Sequence, residues 1–184
     1  MPRIQPIKRA DADPRAQQLL AGVEKKLGRT PNLMATMAHS PAVLGSYLAF
    51  GQALSNASLN GALREQIAIT VAGLNECGYC VSAHTAQGRK QGVDEQELSR
   101  NLAGKSSQSR TQAALDFAKA IVQQEGWVSD EQFRAVRDAG YTDAEVLEIV
   151  ASVAMNIFSN YFNHVVGTQI DFPLVEASPQ AAHS

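Results

Sequence analysis

Signals that start and end α-helices recur along this entire chain, and they restrict its fold more than any other feature. Three N-cap residues each stand before a proline, which suits the first position of a helix: Asp13-Pro14, Thr30-Pro31 and Ser40-Pro41. Three more pairs have the spacing of a capping box: Asp94 with Glu97, Ser129 with Gln132, and Thr142 with Glu145. Glycines stand where helices would end, at positions 28, 92, 126 and 140. The pattern predicts an all-α fold.

Between these signals the apolar residues repeat with the helical period, and strand-like alternation is nearly absent. The segment from Thr142 to about Thr168 predicts the longest helix. The β-branched run from Ile67 to Val71 continues a pattern that begins at Leu63, so it predicts a buried helix. We expect a single helical domain over residues 13–173, an N-terminal arm over 1–12 and a flexible tail over 174–184. The two ends could wrap a partner subunit.

Charge and hydropathy exclude several classes of partner. The net charge is −2 and the lysines and arginines are scattered, whereas a nucleic-acid-binding domain usually has a basic face. No apolar run suits a transmembrane helix, and the N-terminus lacks the apolar stretch of a signal peptide. We therefore expect no nucleic-acid partner, no membrane association and a cytoplasmic location. A close pair of cysteines in that compartment is more often catalytic or metal-binding than structural.

The only two cysteines, Cys77 and Cys80, form a CxxC motif between two predicted helices. We expect the first helix to run from about residue 60 to 75, a tight turn at Gly78, and a second helix from about Tyr79 or Cys80. Both sulfurs would then lie at the N-terminus of a helix. Unpaired N–H groups and the positive end of the helix dipole stabilise a thiolate in that position.

A base and a carboxylate stand at short spacings from the cysteine pair. His84 follows Cys80 by four residues, so both side chains would share one face of a helix. Glu65 lies on the preceding helix and reaches His84 if the two helices pack antiparallel, which would raise the basicity of the other ring nitrogen. One sulfur, once oxidised to sulfenic acid, can condense with the other to a disulfide. The pattern predicts a redox-active dithiol.

Two other interpretations of these residues stay open. Cys77, Cys80, His84 and a distant ligand such as His164 could bind zinc, although structural zinc sites usually combine two compact ligand pairs and the second pair is missing here. The protein could also be a non-catalytic oligomeric sensor whose disulfide state alters its assembly. A general thiol-disulfide oxidoreductase is a further variant of the redox interpretation.

The spacing of these residues resembles the signature of AhpD-like alkylhydroperoxidases in the carboxymuconolactone decarboxylase superfamily. The matching pattern is Glu65, eleven intervening residues, the Cys77-x-x-Cys80 motif, three residues and His84. The flanks, at 31–41 and 160–173, resemble its peroxidase-related branch. The resemblance implies an AhpD-like helical fold that assembles as a homo-oligomer, either a trimer or a hexamer. It also implies reduction of organic hydroperoxides with no cofactor and no metal. The dithiol reductant could be a lipoyl domain, a thioredoxin-like protein or a small thiol.

The resemblance also implies a role for each residue. Cys80 matches the cysteine that attacks the peroxide, Cys77 the resolving cysteine, His84 the general base and Glu65 the group that orients it. Tyr79 replaces a histidine of the founding AhpD proteins, so any proton relay through that histidine is absent; Tyr79 could instead donate a hydrogen bond to the peroxide or simply pack.

A polar patch near the end of the last predicted helix supplies one further candidate, His164. It lies beside Asn160, Tyr161 and Asn163 within an otherwise apolar segment. Buried polar groups need hydrogen-bond partners. The patch therefore predicts either an inter-helix hydrogen-bond cluster or part of the pocket wall, with His164 close to the site.

Overall fold

The computed structural model describes residues 1–177, and no strand occurs in that part of the chain. Its regular structure consists of one short 3-10 helix, Arg9–Asp11, and nine α-helices. The helices are α1 (Pro14–Leu27), α2 (Asn32–Met37), α3 (Pro41–Ser55), α4 (Gly61–Leu74), α5 (Gly78–Lys90), α6 (Glu95–Leu102), α7 (Ser109–Gln123), α8 (Asp130–Asp138) and α9 (Asp143–Val166). The predicted all-α fold is confirmed.

Most helices begin where their caps predict. The side chain of Asp13 accepts a hydrogen bond from the N–H of Arg15, and Ser129 and Thr142 form complete capping boxes at α8 and α9. Thr30 is the exception. Pro31 takes the N-cap of α2 with an extended backbone, so that the helix begins one residue later than predicted.

Helix α4 is the centre of the fold and packs against α5, α6, α7 and α9. Its residues from Ile67 to Ala72 are all buried, which confirms the buried helix predicted for the β-branched run. One apolar core lies between α4 and α7–α9. The other lies between α1–α3 and α5, and it contains Cys77 and Cys80.

The N-terminal residues and the described part of the C-terminal segment pack on the domain itself. The N–H of Arg3 donates to the carbonyl of Val166 at 2.7 Å, and that of Ile7 to the carbonyl of Ala35 at 3.2 Å. Within the predicted C-terminal tail, the N–H of Val175 donates to Ser82 Oγ at 3.0 Å; the rest of that tail, 178–184, lies outside the described residues. None of the described helices combines the length and apolarity needed to cross a bilayer.

Candidate active site

The corner between α4 and α5 sets the position of the cysteines. Glu76 has a left-handed backbone, with φ of 53°, and makes the turn that was predicted at Gly78. Gly78 is instead the first residue of α5, one position earlier than the expected start, and Cys77 is its N-cap. The turn is anchored because the N–H of Cys77 donates to the carbonyl of Ala72 at 2.9 Å.

Cys77 and Cys80 form a disulfide at the start of α5, with their Cα atoms 5.3 Å apart. Both are buried, with 1% and 2% of their surface exposed. The environments of the two sulfurs nevertheless differ. Cys80 lines a cavity of about 120 Å³, whereas Cys77 does not. Only Cys80 is therefore placed to meet a small molecule that enters this cavity.

The expected contact between the base and the carboxylate is present. His84 Nδ1 lies 2.7 Å from Glu65 Oε2, which joins α5 to α4. An ionised carboxylate can only accept a hydrogen bond, so Nδ1 is the donor in this contact and Nε2 is the nitrogen left free to act as a base. Both residues line the same cavity as Cys80. The packing of α4 against α5 thus brings together the three residues that the spacing selected, whose chemical roles remain predictions.

Tyr79 also lines this cavity, but its hydroxyl already has a structural contact. Its Oη accepts the N–H of Leu33 at 3.2 Å, and its ring meets the edge of Phe172 with centroids 5.6 Å apart. Burial raises the pKa of Tyr79, so the phenol stays neutral. These contacts support the packing interpretation, in which Tyr79 fixes α2 and the C-terminal segment over the start of α5.

The structure adds Asn163, which the sequence placed in a polar patch without a role at the sulfurs. Its Nδ2 donates to Cys80 Sγ at 3.1 Å and lies 3.9 Å from Cys77 Sγ. Asn163 Oδ1 is buried and has no hydrogen-bond partner within residues 1–177. A ladder of buried polar residues along α9 is the sequence signal that leads to it: Ser152, Asn156, Ser159, Asn160 and Asn163.

His164, in contrast, does not line the Cys80 cavity. The helical turn that directs Asn163 inward places the next residue on the solvent side, and His164 is exposed. Its carbonyl oxygen accepts a hydrogen bond from Arg3 Nη1 at 3.2 Å. The role expected for His164 close to the site therefore stays a prediction. Within residues 1–177 no group of three or more ligating side chains could hold a metal ion.

Tyr47, which the sequence did not identify as a site residue, lines the cavity. It comes from α3, a helix that carries none of the predicted site residues. Burial, with a smaller contribution from the negative charge of Glu65, raises the pKa of Tyr47 to about 12. The cavity therefore contains a neutral phenol beside a carboxylate.

Comparison with known proteins agrees with this architecture. The Carboxymuconolactone decarboxylase family matches residues 41–124, which include the cysteine pair, Glu65 and His84. A peroxidase-related protein with an alkylhydroperoxidase AhpD core, from Ralstonia eutropha, is 27% identical, with a TM-score of 0.85 over 92% of each chain. The family match and the structural likeness together support an AhpD-like protein of the carboxymuconolactone decarboxylase superfamily.

Two further solved structures resemble this AhpD-like protein. A peroxidase-related protein from Silicibacter sp. is 22% identical, with a TM-score of 0.79 over 90% of this chain and 91% of the other. A variant of the debrominase Bmp8, in complex with 2,3,4-tribromopyrrole, is 23% identical, with a TM-score of 0.79 over 91% of each chain. A search of curated proteins found no match. At these identities the likeness shows the fold, and a fold alone does not determine the reaction.

Proposed function

We propose that this AhpD-like protein is a thiol-dependent peroxidase that reduces organic hydroperoxides through the Cys77–Cys80 pair. The supporting observation is the cavity that Cys80 and His84 both line, with the His84 ring held by Glu65 at 2.7 Å. A nucleophile, a base and an orienting carboxylate on one small cavity are the parts that nucleophilic thiol chemistry needs. Peroxidase-related relatives and the CxxC pair point to an antioxidant role in the same broad sense.

In the first step, His84 Nε2 takes the proton of the reduced Cys80 thiol, and the thiolate attacks the terminal oxygen of the hydroperoxide. An S–O bond forms and the O–O bond breaks. The departing alkoxide takes the proton from His84 and leaves as an alcohol, so that Cys80 becomes a sulfenic acid. Glu65 keeps the imidazole oriented and stabilises its charged form during the transfer.

In the second step, the thiolate of Cys77 attacks the sulfenic sulfur of Cys80. The S–S bond forms, and the hydroxide that leaves is protonated to water. Cys77 does not line the cavity, which supports a role for it in resolving the intermediate rather than in meeting the peroxide. An external dithiol then returns two electrons. Both sulfurs are nearly fully buried, which favours a slender reductant, a lipoyl arm or a small thiol, over a folded thioredoxin-like protein.

Single-turnover oxidation of the reduced protein by tert-butyl hydroperoxide tests these assignments without a reductant. Cys80→Ser should abolish the reaction. Cys77→Ser should still consume one equivalent of peroxide, but stop at a sulfenic acid that dimedone traps. Glu65→Gln should slow the first step by roughly 10- to 100-fold, because general acid–base catalysis is typically worth 10²–10⁴ and the imidazole itself remains. His39→Gln serves as the control, since this exposed histidine contacts the carbonyl of Gln5, far from the cysteines in sequence.

Full activity of Cys80→Ser would remove the assigned nucleophile. Stoichiometric zinc in the purified protein, lost with either cysteine, would replace the redox interpretation with the metal-binding one. A disulfide that forms and changes the oligomer mass with negligible turnover would indicate a sensor.

A further inference from the structure

The cavity at Cys80 is small for an organic substrate. Its volume of about 120 Å³ is well below the roughly 300–1,000 Å³ of pockets that hold drug-sized ligands. A hydroperoxide group and the first few carbon atoms fill that space. Any larger hydroperoxide must extend beyond the cavity, so the surfaces that adjoin it decide which substrates can reach Cys80.

The surface that adjoins this cavity is a groove of about 610 Å³ between α1 and α3. Leu27, Met34 and Tyr47 line both the groove and the Cys80 cavity, so the two spaces share a wall. Leucine and methionine present apolar atoms there, and methionine adapts its shape readily because its side chain is unbranched. The groove and the Cys80 cavity are therefore neighbours, separated by a wall that is largely apolar.

Two glycines inside helices leave room for the groove: Gly22 in α1 and Gly45 in α3. Glycine inside a helix is less stable than alanine, so its presence calls for a reason. Gly22 and Gly45 have no left-handed backbone. A Cβ atom added to Gly22 meets nothing within 4 Å, and one added to Gly45 meets Leu19 at an ordinary 3.7 Å. Close packing between helices therefore requires neither Gly22 nor Gly45. The missing side chains leave open space in the groove.

We propose that this groove binds the hydrocarbon chain of a fatty-acyl hydroperoxide whose peroxide group reacts at Cys80. The inference rests on the peroxidase function proposed above and specifies its substrate class. Lys26 is the one cation among the described residues that line the groove, and no carboxylate lines it. Lys26 Nζ donates to Gln52 Oε1 at 3.4 Å, which places the ammonium across the groove between α1 and α3. The charge favours an anionic amphiphile over a cationic one.

The test fills the groove from the position where the structure has room. Gly22→Leu places an apolar side chain in the hollow, and Ala21→Leu is the matched control, because Ala21 is exposed on the same helix and does not line the groove. Single-turnover rates are compared for linoleic acid hydroperoxide and tert-butyl hydroperoxide. Gly22→Leu should lower the rate with the long substrate about tenfold or more, since displacing two buried methylene groups suffices for that factor. The rate with the short substrate should stay within about twofold of wild type.

A binding measurement separates this proposal from the catalytic one. Dodecanoate has no peroxide group, so its binding, followed by calorimetry, does not depend on any reaction at Cys80. It should bind wild type and Ala21→Leu alike and bind Gly22→Leu at least about tenfold more weakly, while dodecyltrimethylammonium should bind wild type more weakly than dodecanoate does.

The outcomes are distinguishable. If dodecanoate binds as expected but no hydroperoxide oxidises the protein, the groove stands and the peroxidase function fails. Lack of dodecanoate binding, together with equal effects of Gly22→Leu on both substrates, overturns the groove. A change in oligomer mass with Gly22→Leu and not with Ala21→Leu also overturns it, because the hollow is then a contact between subunits.

Discussion

Asn163 is the residue through which α9 reaches the cysteine pair. Its amide donates to Cys80 Sγ at 3.1 Å, and only 5% of its surface is exposed. Hydrogen bonds to charged groups are stronger than those between neutral groups, so the same donor stabilises a thiolate more than a thiol. We infer that Asn163 holds Cys80 in its reactive form after reduction.

Replacing Asn163 with leucine should therefore raise the pKa of the reduced Cys80 thiol by about one unit or more, because a hydrogen bond to a charged group is worth about 1.5–3 kcal/mol. Thiolate absorbance near 240 nm, followed against pH, measures the change. Oxidation by peroxide should slow most near neutral pH and recover as the pH rises.

Asn160→Leu provides the control for this experiment. Asn160 is equally buried on the same helix face, but its Oδ1 accepts from Asn75 Nδ2 at 2.9 Å rather than contacting sulfur. Asn160→Leu should lower the stability of the protein without changing the pH at which half of the Cys80 thiol is ionised. If Asn163→Leu has the same pH of half-ionisation as wild type, the hydrogen bond from Asn163 to Cys80 Sγ does not stabilise the thiolate.

The sequence predicted the residues whose relation is local and missed those that depend on packing. Cys80 and His84 share one turn of α5, and the helix hairpin brings Glu65 to them, so spacing alone was informative. Asn163 and Tyr47 come from α9 and α3, and only the tertiary fold brings these helices to the cavity. His164 shows that a prediction one residue off along α9 exchanges a buried position, Asn163, for an exposed one.

At the scale of helices, Glu97 connects α6 to the start of α7. The sequence predicted a capping box with Asp94, and the N–H of Glu97 does donate to Asp94 Oδ1 at 2.8 Å. The carboxylate of Glu97, however, accepts hydrogen bonds from Ser106 and Ser107 in the α6–α7 loop instead of from the N-cap backbone. A cap motif therefore located the helix start correctly, but it did not reveal a buried carboxylate that orders a loop.

Stability should depend on pH through Glu97. Burial acts to raise the pKa of Glu97, but hydrogen bonds from Ser106, Ser107 and Asn101 outweigh it and lower the pKa to about 2. A carboxyl whose folded pKa lies below its unfolded value stabilises the protein above the unfolded pKa, and that contribution is lost as the pH falls towards the folded one. From an ordinary value of 4.5 to about 2, the contribution at neutral pH is about 3 kcal/mol.

Glu97→Gln should therefore unfold at a lower urea concentration than wild type at pH 7, and the difference should shrink as the pH falls from about 4.5 towards 2. Glu95→Gln is the control, because Glu95 pairs with Arg89 at an exposed site where ion pairs contribute little. A difference between Glu97→Gln and wild type that is the same at pH 7 and pH 3 would contradict the assignment.

At the scale of the whole molecule, α9 buries polar side chains and exposes apolar ones over much of its length. The face toward α4 and α5 carries the buried polar ladder that ends at Asn163, whereas the opposite face is apolar and exposed. Leu147 and Val165, near the two ends of the helix, expose 69% and 65% of their surface. The exposed apolar residues follow one another at three- and four-residue steps: Leu147, Val150, Ala154, Phe158, Tyr161 and Val165. Such a stripe is about 27 Å long and is typical of a helix that packs against a partner.

We expect a second copy of this chain to cover the stripe, since the family resemblance implies a homo-oligomer and Phe50 of α3 extends the apolar surface beside Phe158. The double substitution Phe158→Glu and Tyr161→Glu places two charges at the centre of the stripe, where burial without partners is costly. Sedimentation velocity should then show a monomer at concentrations where wild type is oligomeric, while helical content is unchanged. Trp127→Glu is the matched control, because Trp127 is 86% exposed but lies between α7 and α8, away from the stripe. A wild-type protein that is monomeric at tens of micromolar would contradict this assembly, and so would an oligomer that only Trp127→Glu dissociates. If the double variant becomes a monomer and also loses dodecanoate binding, the assembly is needed to complete the groove.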